Sequence, residues 1–400
     1  MKVNLQKACA LIMGVSIGVT MASCDTEQKQ SVKSIIVHNE LDFARQEVVA
    51  IPMDDLSGFI GEQSHKDLRI KMEGATDYQR TQWIDYDQDN KPDELLFLAE
   101  VPAGASVNYE LGMDIDAVVP ESDVIAYSRF VPERTDDYTW ENDKVAFRTY
   151  GPTGQKEALA GVAGSTLSSG IDLWLKRTEH SIIDKWYAEH LKSPGYYHID
   201  HGEGFDPYHV GASRGTGGSG IWAEDSLYVS ENYVKYNTIA QGPLRTVFEL
   251  EYAAWSPYEV TETKRITLDL GSNFSKFDIS MDSKEPLPNY AVGITLHNKK
   301  GEFKIDEETG WIRHWEQIKD SFVGEGIVMD VAEIDSAFVR ESEVADQSNL
   351  LLLAKPSSVV SYYAGFAWVK SGQVNAVEDW DKMLDQQAAI IKSPLKVTME

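Results

Sequence analysis

Segments in which apolar and polar residues alternate dominate the second half of the chain. They cover residues 233–239, 244–252, 260–268, 274–281 and 291–296, and no helical pattern separates them. A period of two gives a strand one buried and one polar face, and long consecutive strands of this kind pair antiparallel. We therefore predict a mainly β fold built on a large antiparallel β-sandwich, with few helices.

Shorter strand-like segments precede this region and indicate a second, smaller unit. They lie at residues 34–38, 47–51, 68–72, 95–99 and 107–111. We predict a small N-terminal β-sandwich over residues 35–115 and a large domain with the site over residues 116–400. Apolar residues at helical spacing predict helices over residues 180–191 and 380–391, the second packed on the sheet.

The first 24 residues have the features of an export signal. Lys2 and Lys7 accompany an apolar stretch at residues 8–20 that is too short for a stable membrane span, and Met21-Ala22-Ser23-Cys24 follows. Small residues before a cysteine resemble the lipobox of bacterial lipoproteins. We predict a signal peptide over residues 1–24, lipidation of Cys24 and a polar tether over residues 25–34. An ordinary signal peptide cleaved nearby is the alternative.

This prediction implies a location as well. The protein is expected to be exported and lipid-anchored to the cell envelope, facing the periplasm or the cell surface. The membrane is then a partner only through the N-terminal lipid.

The charge of the chain restricts its partners. The 37 Lys and Arg and 64 Asp and Glu give a formal net charge of −27, and loss of Lys2 and Lys7 with the signal peptide changes −27 to −29. Such a field repels nucleic acid, so we expect no nucleic-acid partner. The glycine-rich residues 211–220 precede no helical pattern, so we expect no nucleotide cofactor. The 10 Trp, 18 Tyr and 13 Phe suit stacking on sugar rings, although aromatic residues also fill β cores.

One stretch, residues 185–222, concentrates the side chains that carry chemistry. It holds four of the nine histidines, several carboxylates and eight glycines between Gly195 and Gly220. Ionisable groups that converge among flexible glycines are typical of a binding or catalytic site, whereas a structural glycine-rich crossover is the alternative. The candidate catalytic residues are His198, His201, Glu203, Tyr208 and Arg214. The candidate substrate-binding residues are Lys185, Trp186, Tyr197, Asp206, Trp222 and Glu141.

An acidic loop in the N-terminal region matches part of a calcium-binding pattern. Asp85, Asp87, Asp89 and Asp93 occupy relative positions 1, 3, 5 and 9, while position 12 is Leu96 and not the usual glutamate. The loop is a possible calcium site, and an acidic hairpin turn is the alternative. Other cofactors cannot be assigned from the sequence.

Several long motifs resemble a known family. They are YTWENDKVAFRTYGP, YHIDHGEGFDPYHVGASRGTGG, QGPLRTVFELEY, TKRITLDLGSNFSKF and YYAGFAW. Together they resemble the Bacteroidota domain-of-unknown-function family numbered 4861, over essentially the whole mature chain. The resemblance implies exported glycan-utilisation lipoproteins and supplies no reaction, so no catalytic residue is carried over from it. The strands around TKRITLDLGSNFSKFDISM and AVGITLH also resemble the galactose-mutarotase-like supersandwich, a fold that does not fix function.

Three functions remain in competition, all with a polysaccharide or oligosaccharide as partner. The leading one is a polysaccharide lyase that cleaves a uronic-acid-containing glycan by β-elimination, with His198 or His201 as base and Tyr197 or Tyr208 as acid. The second is a glycoside hydrolase that uses paired carboxylates. The third is a non-catalytic carbohydrate-binding or accessory protein with an aromatic platform.

Overall fold

The computed structural model describes residues 32–344 and 346–400. Cys24, the signal peptide and most of the predicted tether lie outside the described residues. The first strands are β1 (Val32–His38), β2 (Arg45–Pro52), β3 (Leu68–Met72), β4 (Thr81–Ile84), β5 (Glu94–Val101) and β6 (Ser106–Met113). Next come β7 (Tyr127–Val131), β8 (Asp137–Glu141), β9 (Ala146–Thr149), β10 (Asp172–Lys176), β11 (Gly204–Phe205), β12 (Thr216–Ala223) and β13 (Ser226–Tyr228).

Longer strands form the C-terminal half, as the alternating pattern predicts. They are β14 (Lys235–Ala240), β15 (Arg245–Trp255), β16 (Val260–Asp269), β17 (Phe274–Asp282), β18 (Tyr290–Thr295), β19 (Glu302–Asp306), β20 (Trp311–Ile318), β21 (Ser321–Val328), β22 (Ile334–Arg340), β23 (Asn349–Ala354), β24 (Val359–Trp368) and β25 (Lys396–Met399). The α-helices of the described chain are α1 (Met53–Ile60), α2 (Pro152–Leu159), α3 (Ile183–Lys192) and α4 (Val377–Lys392). The mainly β prediction is confirmed.

The N-terminal strands form a small sandwich of two sheets. The strand orders are β25-β1-β6-β3 and β2-β5-β4, and all pairs are antiparallel. Alternate residues such as Ile35, Leu95 and Tyr109 point into one apolar core. The last strand, β25, pairs with β1 through Ile36 and Thr398. The C-terminal strand therefore belongs to the small sandwich, although it follows the strands of the large sandwich in the sequence.

The large sandwich packs an eight-stranded antiparallel sheet, in the order β14-β15-β16-β17-β24-β21-β20-β19, against two five-stranded sheets. Those two sheets have the orders β11-β10-β9-β8-β7 and β13-β12-β18-β23-β22, and a parallel bridge between Ile171 and Gly215 connects them. One apolar core contains residues of all three sheets, including Phe147, Val292 and Phe277. The predicted large antiparallel sandwich is therefore confirmed.

Both predicted helices form, and each covers an apolar surface. Helix α4 packs Trp380 and Leu384 on the eight-stranded sheet, opposite Gly324 and Gly326, where a Cβ atom would come within 2.5 Å of those side chains. Helix α3 packs Trp186 and Tyr187 in a cluster with aromatic residues of β10 and the following loop. No helix of the described chain is long and apolar enough to cross a bilayer.

Candidate functional site

A buried arginine holds the first part of the site together. Arg148 on β9 places Nη2 2.5 Å from Asp172 Oδ2 and 2.8 Å from Asp206 Oδ2, and Nη1 lies 3.7 Å from Asp137 Oδ2. The strands β8, β9 and β10 are neighbours, so the register brings Asp137, Arg148 and Asp172 together. Burial raises the pKa of Asp137 to about 6 and the pKa of Asp206 well above its usual value. All four side chains are buried, so this network is a structural support and not a solvent-facing site.

Asp206 connects this support to two candidate catalytic residues. Its carbonyl oxygen lies 3.1 Å from His198 Nδ1, and its Oδ1 accepts a hydrogen bond of 3.1 Å from the Tyr208 amide. A carbonyl oxygen only accepts, so Nδ1 of His198 carries the proton and Nε2 keeps its lone pair. Burial lowers the pKa of His198, which keeps the ring neutral. Nε2 of this half-exposed imidazole is therefore available to accept a proton.

Tyr208 also belongs to a second polar cluster, which lies between the two layers of the large sandwich. The other members of this cluster are His297, His314, Glu316 and Glu325. The Tyr208 hydroxyl donates to Glu316 Oε1 at 2.6 Å, and its ring stacks on His297 at 4.3 Å between centroids. Glu325 accepts hydrogen bonds from Thr216 and, at 2.9 Å, from His314 Nδ1. Burial and the charge of Glu325 raise the pKa of Glu316.

Burial and neighbouring charges set the protonation states of the residues in this cluster. Burial raises the pKa of Tyr208 well above its usual value, so the phenol stays protonated at neutral pH. For His314, burial acts against the charged form, but the hydrogen bond with Glu325 and the charges of Glu325 and Glu316 together outweigh it and raise the pKa. The group therefore offers a protonated phenol and a carboxylate of increased basicity side by side.

The residues His297, His314, Glu316 and Glu325 were missed by reasoning from sequence. A signal was available in β20, where His314 and Glu316 stand between Ile312 and Ile318 on one face of the alternating pattern. Ile312 belongs to the main core, so both ionisable residues face the interior. On β21, Glu325 is the cross-strand partner of His314, and such direct partners interact. Two ionisable residues on a core face indicate a site.

A surface cleft of about 470 Å³ opens beside Glu316. Lys300, Lys319, Asn298 and Gln317 bring polar groups to its walls, and Trp315 and Phe322 add stacked rings 5.8 Å apart. Lys319 also places Nζ 3.9 Å from the ring centroid of Phe205, next to Asp206. The cleft therefore lies between the β18–β19 loop and the β20–β21 hairpin, and Lys319 connects its wall to Phe205 of the segment that carries the candidate residues.

Other predicted residues form separate contacts. Glu203 accepts hydrogen bonds from Lys185 Nζ at 2.8 Å and from Trp186 Nε1 at 3.3 Å. The exposed His201 stacks on Tyr196 with ring centroids 4.0 Å apart. Tyr197 is buried, and its hydroxyl accepts from Arg148 at 3.4 Å. These residues surround helix α3 and the loop after it, and their role in binding stays a prediction.

Arg214 and Trp222 lie elsewhere. Arg214 is 2% exposed, and its Nη1 donates to Ser169 Oγ at 3.0 Å and to the Ser219 carbonyl at 3.1 Å. Burial lowers the pKa of Arg214 to about 10. Trp222 packs edge-on against Phe338 in a small cluster on the neighbouring sheet. The predicted single pocket thus divides: Arg214 sits in the core, while His201 and Glu203 contact residues at the surface around α3. The assignment of catalytic roles to these three residues stays a prediction.

Glu141 has structural contacts. Its carboxylate accepts from the backbone amides of Ile182 and Ile183 at the start of α3, and from Lys176 Nζ at 2.8 Å. A carboxylate at a helix N-terminus satisfies amides that have no partner within the helix. These contacts account for the burial of Glu141 without a substrate.

Two groups of side chains have the spacing of metal ligands. Ligand atoms of Asp85, Asp87 and Asp89 lie within 4.8 Å of one another, and the same holds for His297, Glu316 and Glu325. The first group is a surface turn in which Asp85 and Asp89 accept backbone amides, while Asp93 accepts the amide of Tyr86. Calcium binding at this turn stays a prediction.

Solved structures with a related fold come from proteins much longer than this one. A crystal structure described as a protein in the Glycosyl Hydrolase Family 38 from Enterococcus faecalis matches with a TM-score of 0.50 and 10% sequence identity. The match covers 92% of this chain and 47% of that chain, so this chain spans about half the length of the structure it matches. The likeness concerns the fold.

A sequence relative covers nearly all of the chain. "Uncharacterized protein P7" of Formosa agariphila is 42% identical over 399 residues, which are 98% of this chain and 100% of that protein. The family described as Domain of unknown function (DUF4861) matches residues 37–397. The chain therefore belongs to the DUF4861 family.

Proposed function

We propose that the protein is a carbohydrate-active enzyme that cleaves a uronic-acid-containing glycan by β-elimination in the cleft beside Glu316. The observation that carries this proposal is the Tyr208 hydroxyl, held 2.6 Å from Glu316 Oε1 next to a cleft with two lysines and a stacked aromatic pair. The Enterococcus faecalis structure with a related fold belongs to a protein described as a glycosyl hydrolase, which supports a glycan as substrate and does not select a reaction.

Elimination needs a base, an acid and a positive charge at the sugar carboxylate. We assign the base to His198, whose free Nε2 takes the C5 proton of the uronic acid. The electron pair of that C–H bond forms the C4–C5 double bond while the C4–O4 bond breaks. Tyr208 gives its proton to the departing O4, because its raised pKa keeps the phenol protonated. Glu316 is a positioning residue that orients the phenol.

Lys319 and Lys300 supply the positive charge in this proposal. Both line the cleft, and Lys319 lies against Phe205, close in sequence to Asp206 and Tyr208. The net charge of −27 opposes an anionic glycan at long range. The lining also holds Glu302 and Glu316, so the two lysines act on the sugar carboxylate by direct contact and not through a net positive cleft. Trp315 and Phe322 offer apolar faces on which sugar rings stack.

The proposal includes export and anchoring through Cys24, which would bring the cleft into contact with polymeric glycans outside the cytoplasm. The motif Met21-Ala22-Ser23-Cys24 motivates it. Partitioning of the protein into a detergent phase should be lost in Cys24→Ala, and equal partitioning of both proteins would refute the anchor.

The test is a glycan panel assayed in parallel for ultraviolet absorbance of unsaturated uronides and for new reducing ends. A lyase produces both signals. Tyr208→Phe should reduce the rate by about 10²–10⁴-fold, the range typical of a lost general acid. Tyr236→Phe, which removes the hydroxyl of a 43% exposed tyrosine, is the control and should retain activity.

Two other outcomes would replace the elimination mechanism. Reducing ends without absorbance would indicate a hydrolase that uses paired carboxylates. Binding of a glycan without either signal would indicate an accessory protein.

A further inference from the structure

We propose that His297, Glu316 and Glu325 bind a divalent cation between the two layers of the large sandwich. One nitrogen and two carboxylate oxygens from these residues lie within 4.8 Å of one another. Ligand atoms about 2.0–2.2 Å from a common ion are separated by about 3–4 Å, so small side-chain rotations complete the site. Binding of the cation requires no glycan, and the inference therefore goes beyond the proposed function.

The charges of the two glutamates give the first physical reason. Glu316 is 4% exposed and Glu325 is 1% exposed, and neither forms a salt bridge with Lys or Arg in residues 32–344 and 346–400. The ionisable neighbours nearest to them are imidazoles: His297, 3.5 Å from Glu316 Oε1, and His314, 2.9 Å from Glu325 Oε2. Two adjacent buried carboxylates are costly unless compensated. A divalent cation neutralises both.

Asp172 gives an independent reason. Its side chain is fully buried, and it lines the same small cavity as His297 and Glu325. Arg148 binds its Oδ2, but Oδ1 has no hydrogen-bond partner among the residues that the structure describes. His297 Nε2 is likewise buried and without a hydrogen bond in this part of the chain. A buried acceptor without a partner is rare in proteins. The proposed cation would bind His297 Nε2 directly, and its positive charge would stabilise the unpaired Asp172 Oδ1 that lines the same cavity.

The surroundings of the two glutamates match those of metal ligands. Tyr208 donates to Glu316, while His314 and Thr216 donate to Glu325. Each carboxylate oxygen has a further lone pair available for an ion. Hydrogen bonds that orient ligating carboxylates are a regular feature of metal sites and tune their affinity.

The ligand types select the cation. Ca²⁺ and Mg²⁺ prefer sites made of oxygen alone, whereas imidazole together with carboxylates suits first-row transition ions such as Zn²⁺ and Mn²⁺. The surface turn with Asp85, Asp87 and Asp89 offers only oxygen, so the two candidate sites differ in the ion they should choose. We therefore assign a Zn²⁺- or Mn²⁺-type ion to the interior site.

The test uses the full chain, freed of metal with a chelator and titrated calorimetrically with Zn²⁺, Mn²⁺ and Ca²⁺ in the absence of glycan. One Zn²⁺ or Mn²⁺ ion per chain should bind, and it should raise the melting temperature because it binds the folded state. Glu325→Gln should weaken binding by at least about 100-fold. Tyr208→Phe should weaken it by about 10-fold at unchanged stoichiometry, as expected for a residue that orients a ligand.

Asp87→Asn in the surface turn is the matched control and should leave Zn²⁺ and Mn²⁺ binding unchanged. His297→Gln, at a less buried position, gives a second reading if Glu325→Gln does not fold. The inference is overturned if the wild type binds neither Zn²⁺ nor Mn²⁺, or if Asp87→Asn removes binding. It is also overturned if Glu325→Gln and His297→Gln both bind the ion as tightly as the wild type does. An inactive protein that binds the ion would refute the proposed function alone.

Discussion

Asp137 illustrates how burial controls protonation in this protein. It faces Arg148, Arg134, Tyr187 and Asp172, and its Oδ1 has no hydrogen-bond partner within the described residues. Burial raises its pKa from 3.8 to about 6, even though Arg148 and Arg134 act in the opposite direction. The folded state therefore holds this proton more tightly than the unfolded state does, and stability linked to Asp137 is present below pH 4 and lost as the pH rises to 6.

Asp137→Asn removes this titration, since an amide does not ionise. The free energy of unfolding of the variant minus that of the wild type should increase between pH 4 and pH 7, by on the order of 2–3 kcal/mol. Urea unfolding of both proteins at several pH values measures this difference in the free energy of unfolding. The exposed Asp77 supplies the control Asp77→Asn, whose difference from wild type should stay nearly constant. A difference for Asp137→Asn that is constant or decreases with pH would contradict the assignment.

Strands and helices meet in this protein at glycines that leave no room for a side chain. Gly365 on β24 faces the neighbouring β17, and a Cβ atom there would lie 2.1 Å from the Asn273 carbonyl oxygen and 2.8 Å from the Phe274 ring. Backbone cannot move aside as a flexible side chain can. The sheet therefore depends on a glycine at this position for its close strand contact.

Gly365→Ala should lower the free energy of unfolding by about 1–3 kcal/mol, the range of overpacked core positions. Gly58 in α1 is the matched control, because a Cβ atom there would have no neighbour within 4 Å. Gly58→Ala should stabilise the protein by up to about 1 kcal/mol, since alanine is the better helix former. Thermal unfolding of both variants measures the contrast, and equal effects would contradict the packing argument.

The C-terminal and N-terminal segments of the described chain pair with each other. Strand β25 adds an edge to the small sandwich, where Val397 pairs with Val37 and packs with Leu395 and Met399 on the core. Arg45 of the small sandwich also donates to the Ser393 carbonyl, 2.8 Å away, just after helix α4. The C-terminal segment thus ties the small sandwich to the helix that covers the large one.

A chain that ends at Pro394 lacks β25. We expect faster hydrogen exchange in β1 and a lower melting temperature, with unchanged exchange in the eight-stranded sheet, because β1 loses one row of hydrogen bonds and some apolar cover. Lys396→Ala is the control, since it keeps the strand and removes only an exposed ion pair with Glu40, which contributes little. Unchanged exchange in β1 after truncation would show that β25 is dispensable.

The sequence by itself determined the element types and the mainly β architecture. Alternation with a period of two is a local property, and it revealed the long strands β15, β16, β17 and β18. The strand with Ile312, His314 and Glu316 on its buried face was not predicted, although it shows the same alternation. Helical spacing likewise predicted α3 and α4. The concentration of ionisable residues at 185–222 pointed to His198 and Tyr208, which the structure connects through Asp206.

Only the tertiary structure decided which ionisable groups meet. Tyr208 and Glu316 are 108 positions apart, and Thr216 and Glu325 are 109 apart, so no local pattern relates them. Arg214 and Glu141, candidates by residue type, turned out to be buried with structural partners. A charged side chain has no fixed role in sequence, because burial and partners set its protonation and its energy, and both depend on strand pairing and layer packing across the whole fold.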